Sequence, residues 1–86
     1  MWADDMELRV RFFAALRDKI GAEEIRMKWV QGMTERNVME FLRRNFREAA
    51  LLLDYSLVAV NGQYVEGGVA VMPEDEVAVL PPVSGG

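Results

Sequence analysis

The spacing of apolar residues changes period twice along this chain, and few folds can accommodate that change. Met6, Leu8, Val10 and Phe12 alternate with Glu7, Arg9 and Arg11, the period-two pattern of a half-buried strand. Ile25, Met27 and Trp29 against Arg26 and Lys28 predict a second strand. Over "QGMTERNVMEFLRRNFRE" the period becomes helical, with Val38, Phe41, Leu42 and Phe46 on one stripe. Strand-like segments then return at Leu57–Val60, Tyr64–Val65 and Val77–Leu80. One amphipathic helix between two groups of strands must lay its stripe on one face of a single sheet.

Local signals punctuate this order. Thr34 stands where a helix N-cap belongs, Glu35 lies in the first turn, and Arg43, Arg44 and Arg47 lie near the last, as the helix dipole favours. The helix is predicted over about 35–48, with Glu40 within reach of Arg43 or Arg44. A short helical turn is expected over Ala14–Lys19, closed by a turn at Gly21. "AALLLDY" reads as a connector with apolar anchors. Asn61–Gly62 is the dipeptide that tolerates the positive φ angles of a tight hairpin. Pro73 suits the second position of a further turn. Pro81 and Pro82 end the last strand, because neither has an N–H for the ladder.

The resulting ββαβ(β)β order predicts an α+β fold, a β-grasp (ubiquitin-like) roll. Its mixed sheet has four to five strands, one main helix packed on one face, and the first and last strands parallel in the middle. Residues 1–5 read as a leader, 6–80 as the domain and 81–86 as a flexible tail. Methionines 27, 33, 39 and 72 read as core filler. The late strands are apolar on both sides, whereas the first two give the outer face Arg9, Arg11, Arg26 and Lys28. One helix cannot cover both faces, so either loops or a partner must meet the other. The sharper reading is a protein-binding surface near the tail's exit, flanked by basic residues.

Composition narrows the chemistry. The chain has 86 residues, is 51% apolar and carries a formal charge of −4, which disfavours nucleic acid as a partner. No apolar run approaches the roughly 20 residues of a membrane helix, and "MWADDMELRV" lacks the pattern of a signal peptide. A cytoplasmic protein is expected. There is no cysteine and no histidine, which removes disulfides, thiolate or imidazole zinc sites, cysteine nucleophiles and Ser-His triads. The acids at 74–76 read as a solvated turn rather than a metal site, and no metal or bound cofactor is expected.

The ending "LPPVSGG" then becomes informative. Pro81 and Pro82 favour an extended path away from the body. From Pro81 to Gly86 the reach is at most about 20 Å. Gly85 and Gly86 carry no Cβ, so they can pass a narrow channel close to another protein's backbone. A terminal carboxylate on Gly86 is ionised at neutral pH and is a poor electrophile. It accepts a nucleophile only after activation, for example as an acyl adenylate, by an enzyme that grips the tip and excludes water.

"RVRFFAALRDKIG" at 9–21, "VNGQYV" at 60–65 and "DEVAVLPPVSGG" at 75–86 resemble the small subunit of molybdopterin synthase, the MoaD type within the MoaD/ThiS family of ubiquitin-like sulfur carriers. The likeness spans about residues 6–86. The family's turn commonly reads Asp-Gly-Asp-Glu-Val; here Pro73–Glu74–Asp75–Glu76–Val77 has no glycine, which leaves the turn type open. The resemblance implies that an E1-like enzyme adenylates Gly86 with ATP and that sulfur from a donor replaces AMP, leaving a terminal thiocarboxylate (a 1-thioglycine). The charged carrier would then insert its tail into the large subunit, within a heterotetramer. There it would donate sulfur to the cyclic pyranopterin monophosphate precursor in molybdenum cofactor biosynthesis. Gly86 and Gly85 would carry the chemistry, and Leu80, Pro81, Pro82, Val83 and Ser84 would meet partners. Phe13 is placed by the family against its partner, with core packing an equal alternative. On this reading the small subunit is not catalytic alone. Three other readings remain open: a ubiquitin-like protein modifier, a sulfur carrier for tRNA thiolation or thiamine thiazole synthesis, and a regulatory binding module with an incidental ending.

Overall fold

The computed structural model describes residues 6–82. Strand β1 (Glu7–Phe12) is followed by helix α1 (Ala14–Ile20), strand β2 (Glu24–Lys28), helix α2 (Glu35–Asn45), a 3₁₀ turn (Arg47–Ala49) and helix α3 (Ala50–Asp54). Strands β3 (Leu57–Val60), β4 (Gln63–Val65) and β5 (Glu76–Leu80) complete the order. The five strands form one sheet in the order β2-β1-β5-β3-β4. β1 and β5 are parallel neighbours at its centre, and the other pairings are antiparallel. This is the predicted β-grasp roll, a mixed sheet with its helices on one face.

The strand alternation decides which face is covered. Leu8, Val10 and Phe12 of β1, Val77 and Val79 of β5 and Val58 of β3 turn inward and are almost wholly buried. Val38, Met39 and Leu42 of α2 meet them, and Phe46 sets its ring edge-on to Phe12 at a centroid distance of 6.5 Å. Met27 and Met33 join this core, but Met72 is 45% exposed and does not. Its backbone instead closes the Pro73 turn, where the Met72 carbonyl accepts the Asp75 N–H at 3.0 Å. Met6 precedes β1 at the rim and is also exposed.

Helix α2 begins as expected. Asn37 Oδ1 accepts the Thr34 backbone N–H at 2.8 Å, capping the first turn. The helix ends at Asn45, three residues earlier than its pattern suggested. Asn45 Nδ2 donates to the Phe41 carbonyl at 2.8 Å, and Phe46 leaves helical geometry to reach Phe12. A long-range packing contact outweighs local propensity there. The segment read as a connector is helical instead, with Ala49 and Leu53 buried one turn apart as its anchors. Arg43 pairs with Asp54 of α3, Nε to Oδ1 at 3.5 Å, rather than with Glu40.

Glu35 does more than favour the helix dipole. It is buried, and its carboxylate accepts the N–H groups of Gly68 (2.9 Å) and Val69. Its own N–H donates to the Val69 carbonyl at 3.0 Å, and Val71 N–H donates to the Met33 carbonyl at 2.9 Å. Trp29 Nε1 donates to the Val71 carbonyl at 2.8 Å. The loop from β4 to β5 is thus fastened to the start of α2. Glu35→Gln replaces one acceptor oxygen with a donor that faces an N–H. It is expected to cost about 1–3 kcal/mol, each worth roughly 4–8 °C of melting temperature in a domain this size. Thermal denaturation followed by circular dichroism checks this; an unchanged melting temperature would show that the clasp contributes little.

Candidate functional site

The site is built where the central strand leaves the sheet. β5 lies between β1 and β3, hydrogen-bonded on both sides, so its end at Leu80 is rigidly held. Pro81 follows, half-buried, and then Pro82, exposed. Val83, Ser84, Gly85 and Gly86, which the sequence pointed to most strongly, lie outside the described residues. So do the leader residues 1–5.

Residues that turn away from the core gather around this exit. Leu80 pairs in register with Leu57, Ala78 with Ala59 and Ala59 with Tyr64. Leu57 is 48% exposed and Tyr64 67%. No loop among the described residues shields them, so the sheet's outer face presents an apolar patch on its β5-β3-β4 half. The β2-β1 half carries the basic residues. There Arg11 Nη1 lies 3.1 Å from Glu76 Oε2, and Arg26 lies 3.9 Å from Glu7. The exit of the tail marks the boundary between a charged and an apolar half-face.

Phe13 resolves outward. Its ring is 37% exposed, is absent from the core cluster, and has the Arg11 guanidinium 5.6 Å from its centroid. The backbone explains why. Phe13 is extended at the N-cap of α1, and the next residue, Ala14, takes φ +53°. That left-handed conformation costs a residue with a Cβ roughly 1–2 kcal/mol. It turns the chain sharply between β1 and α1 and leaves Phe13 on the surface beside Arg11.

A second apolar surface adjoins Pro82 on the helical side. Ala15, Leu51, Leu52, Tyr55 and Pro82 line a groove of about 510 Å³, rimmed by Lys19 and Glu48. Leu51 and Tyr55 are 73% and 68% exposed. Neither these two residues nor Leu57 and Tyr64 were singled out from the sequence. For Leu57 the signal was present, since a strand apolar on both sides cannot bury both. For Leu51 and Tyr55 it was hidden by reading a helix as a connector.

The acids at 74–76 lie in an exposed turn, as the sequence suggested, and Asp75 also fastens it from within. Asp75 Oδ1 accepts from Asn61 Nδ2 at 2.9 Å and Oδ2 from the Met72 N–H at 2.7 Å. Asn61 Oδ1 accepts the Glu76 N–H at 2.9 Å. Asn61 and Gly62 have φ of +51° and +84°, the expected hairpin turn. The two turns are knotted together by side chains, which sets where β5 begins.

Comparison with known proteins agrees with this architecture. The ThiS family model matches residues 10–86. The molybdopterin synthase sulfur carrier subunit of Arabidopsis thaliana is 28% identical over 81 residues, covering 94% of this chain and 84% of that protein. Its counterpart from Dictyostelium discoideum is 29% identical over 83 residues, covering 93% and 96%. Among solved structures, SAMP1 of Haloferax volcanii superposes with a TM-score of 0.80 at 25% identity, covering 93% of this chain and 99% of that one. A chain of the complex of subunits 1 and 2 of molybdopterin-converting factor from Helicobacter pylori superposes at 0.70 and 23% identity, covering 94% and 100%. With a β-grasp body, a central strand running out into two prolines, and a family match over nearly its whole length, the chain belongs to the ThiS family, of the MoaD/ThiS type.

Proposed function

We propose that the protein is the sulfur carrier subunit of a cytoplasmic molybdopterin synthase. The observation that carries this reading is the rigid exit of β5 into Pro81–Pro82, set between two apolar surfaces, in a chain whose relatives are molybdopterin synthase sulfur carrier subunits. In this scheme an E1-like enzyme adenylates Gly86 at the expense of ATP, and sulfur from a donor displaces AMP to leave a thiocarboxylate. The tail then enters a large subunit, within a heterotetramer; the terminal sulfur attacks a carbon of the pyranopterin precursor, and hydrolysis of the resulting acyl–sulfur bond returns the Gly86 carboxylate and leaves the sulfur on the precursor. Leu57, Tyr64, Phe13 and Leu80 dock that partner through the apolar half-face. Arg9, Arg11, Arg26 and Lys28 orient it by charge. Support for a large-subunit partner comes from the Helicobacter fold neighbour, which was solved as a complex of two subunits.

The test is intact mass spectrometry of the protein after incubation with an E1-like enzyme, ATP and a sulfur donor. The expected product is heavier by the exchange of one oxygen for one sulfur. A competent enzyme that leaves the mass unchanged would overturn the assignment.

The likeness to SAMP1, a small archaeal modifier protein, favours a second reading, in which the activated tail is joined to lysines of other proteins. Immunoblots of cell lysate distinguish the two. A modifier yields higher-mass adducts that vanish when Gly86 is deleted, and a dedicated sulfur carrier yields none.

A further inference from the structure

Helix α2 turns toward solvent a stripe that neither the core nor the tail chemistry uses. Arg36, Glu40 and Arg44 are exposed on it, with Arg43 half-exposed and Arg47 at the start of the following turn. Glu40, Arg43, Arg44 and Arg47 line a shallow depression. Residues 35–47 carry four arginines against two glutamates, one of which, Glu35, is buried and bonded to the loop behind it. The rest of the chain holds six more acids than bases. Besides the basic half of the sheet, this helix is therefore a second concentration of positive charge in an acidic protein.

Helix stability does not account for the pattern. The dipole favours Arg43 and Arg44 in the last turn but disfavours Arg36 in the first. Arg43, Arg44 and Arg47 lie three and four residues apart, where like charges repel. Of the arginines in this strip, only Arg43 has an acidic partner among the described residues, Asp54 at 3.5 Å. The stripe lies on the helix layer, and at its Arg36–Arg43 edge a cleft shared with Leu57 and Val65 borders the sheet.

We infer that the exposed face of α2 is a docking strip for an acidic peptide segment of a partner protein, engaged independently of the sheet face. From residue 36 to 47 the strip is about 16 Å long, the span of roughly five extended residues. A short acidic segment fits this length and touches only the strip. A nucleic acid would extend beyond it, over a body with an excess of acids, and meet repulsion.

The test is a titration of the full-length chain with a synthetic hexaglutamate peptide, followed by amide chemical shifts. Shifts are expected at residues 36–47 and not around Tyr64 and Leu80 on the outer sheet face. They should fade as salt rises from about 50 to 500 mM, as screening requires. The double variant Arg44→Gln/Arg47→Gln should weaken binding at least about tenfold, with an unchanged melting temperature because both residues are exposed. Arg36→Gln supplies a second variant should the first fold poorly. Scattered shifts, shifts insensitive to these variants, or tighter binding of a short duplex DNA to the same residues would each overturn the inference. None of these readouts depends on the tail or on sulfur loading.

Discussion

Adding one alanine after Gly86 is expected to abolish thiocarboxylate formation while moving the melting temperature by no more than roughly 4 °C. The two effects separate because the forces that hold the body end at the root of the tail. The ladder of β5 ends at Leu80, and the two prolines that follow offer no N–H to extend it. A residue added beyond Gly86 therefore leaves the strand ladder and the core of residues 6–82 unchanged. The chemistry is unforgiving, since an adenylating site must place the terminal carboxylate in line with the α-phosphate, and an extra residue displaces it by about 3.5 Å. Deleting Gly86 should have the same outcome. Intact mass after loading and a thermal melt, run on the same sample, read both effects. A variant that still gains sulfur would disconnect the glycine pair from the proposed activity, and a large fall in melting temperature would make the tail a structural element.

Phe12→Ala is expected to produce the largest loss of stability. Phe12 is 2% exposed, ends the central strand β1, pairs in register with Val79 of β5, and meets Phe46 edge-on. Removing a buried ring of this kind costs about 3–5 kcal/mol. A domain of this size has only about 4–13 kcal/mol in total, at the usual stability per residue. The variant should thus be partly or wholly unfolded at 37 °C, whereas Phe12→Leu, which keeps most of the volume, should lose less than about 1.5 kcal/mol. Urea denaturation measures both. An alanine variant with the midpoint of the parent protein would mean that Phe12 is not the keystone of the tail's root.

The readable part of this protein was the part governed by neighbours in sequence. Alternation along β1 and β2, the stripe of α2, the Asn61–Gly62 turn and the proline stop after Leu80 each depend on a few adjacent residues, and each appears where the pattern put it. Element order then sufficed for the β-grasp topology, because a single helix stripe leaves few ways to bury a single sheet. The exit of the tail from the centre of that sheet followed from the topology.

What the tertiary structure decided was everything set by partners distant along the chain. Glu35 reads as an ordinary first-turn acid until Gly68 and Val69, more than thirty residues away, are found donating to it. Phe46 belongs to the stripe of α2 yet leaves the helix because Phe12 offers its ring. Asp75 is a turn residue by sequence and a clasp on Asn61 in space. Phe13, balanced between core and surface, is sent outward by a left-handed Ala14 that no propensity announces. Periodicity reports only whether a side chain faces inward or outward. Which residue it meets is settled by packing and hydrogen bonding across the fold, and those terms enter only once the chain has closed on itself.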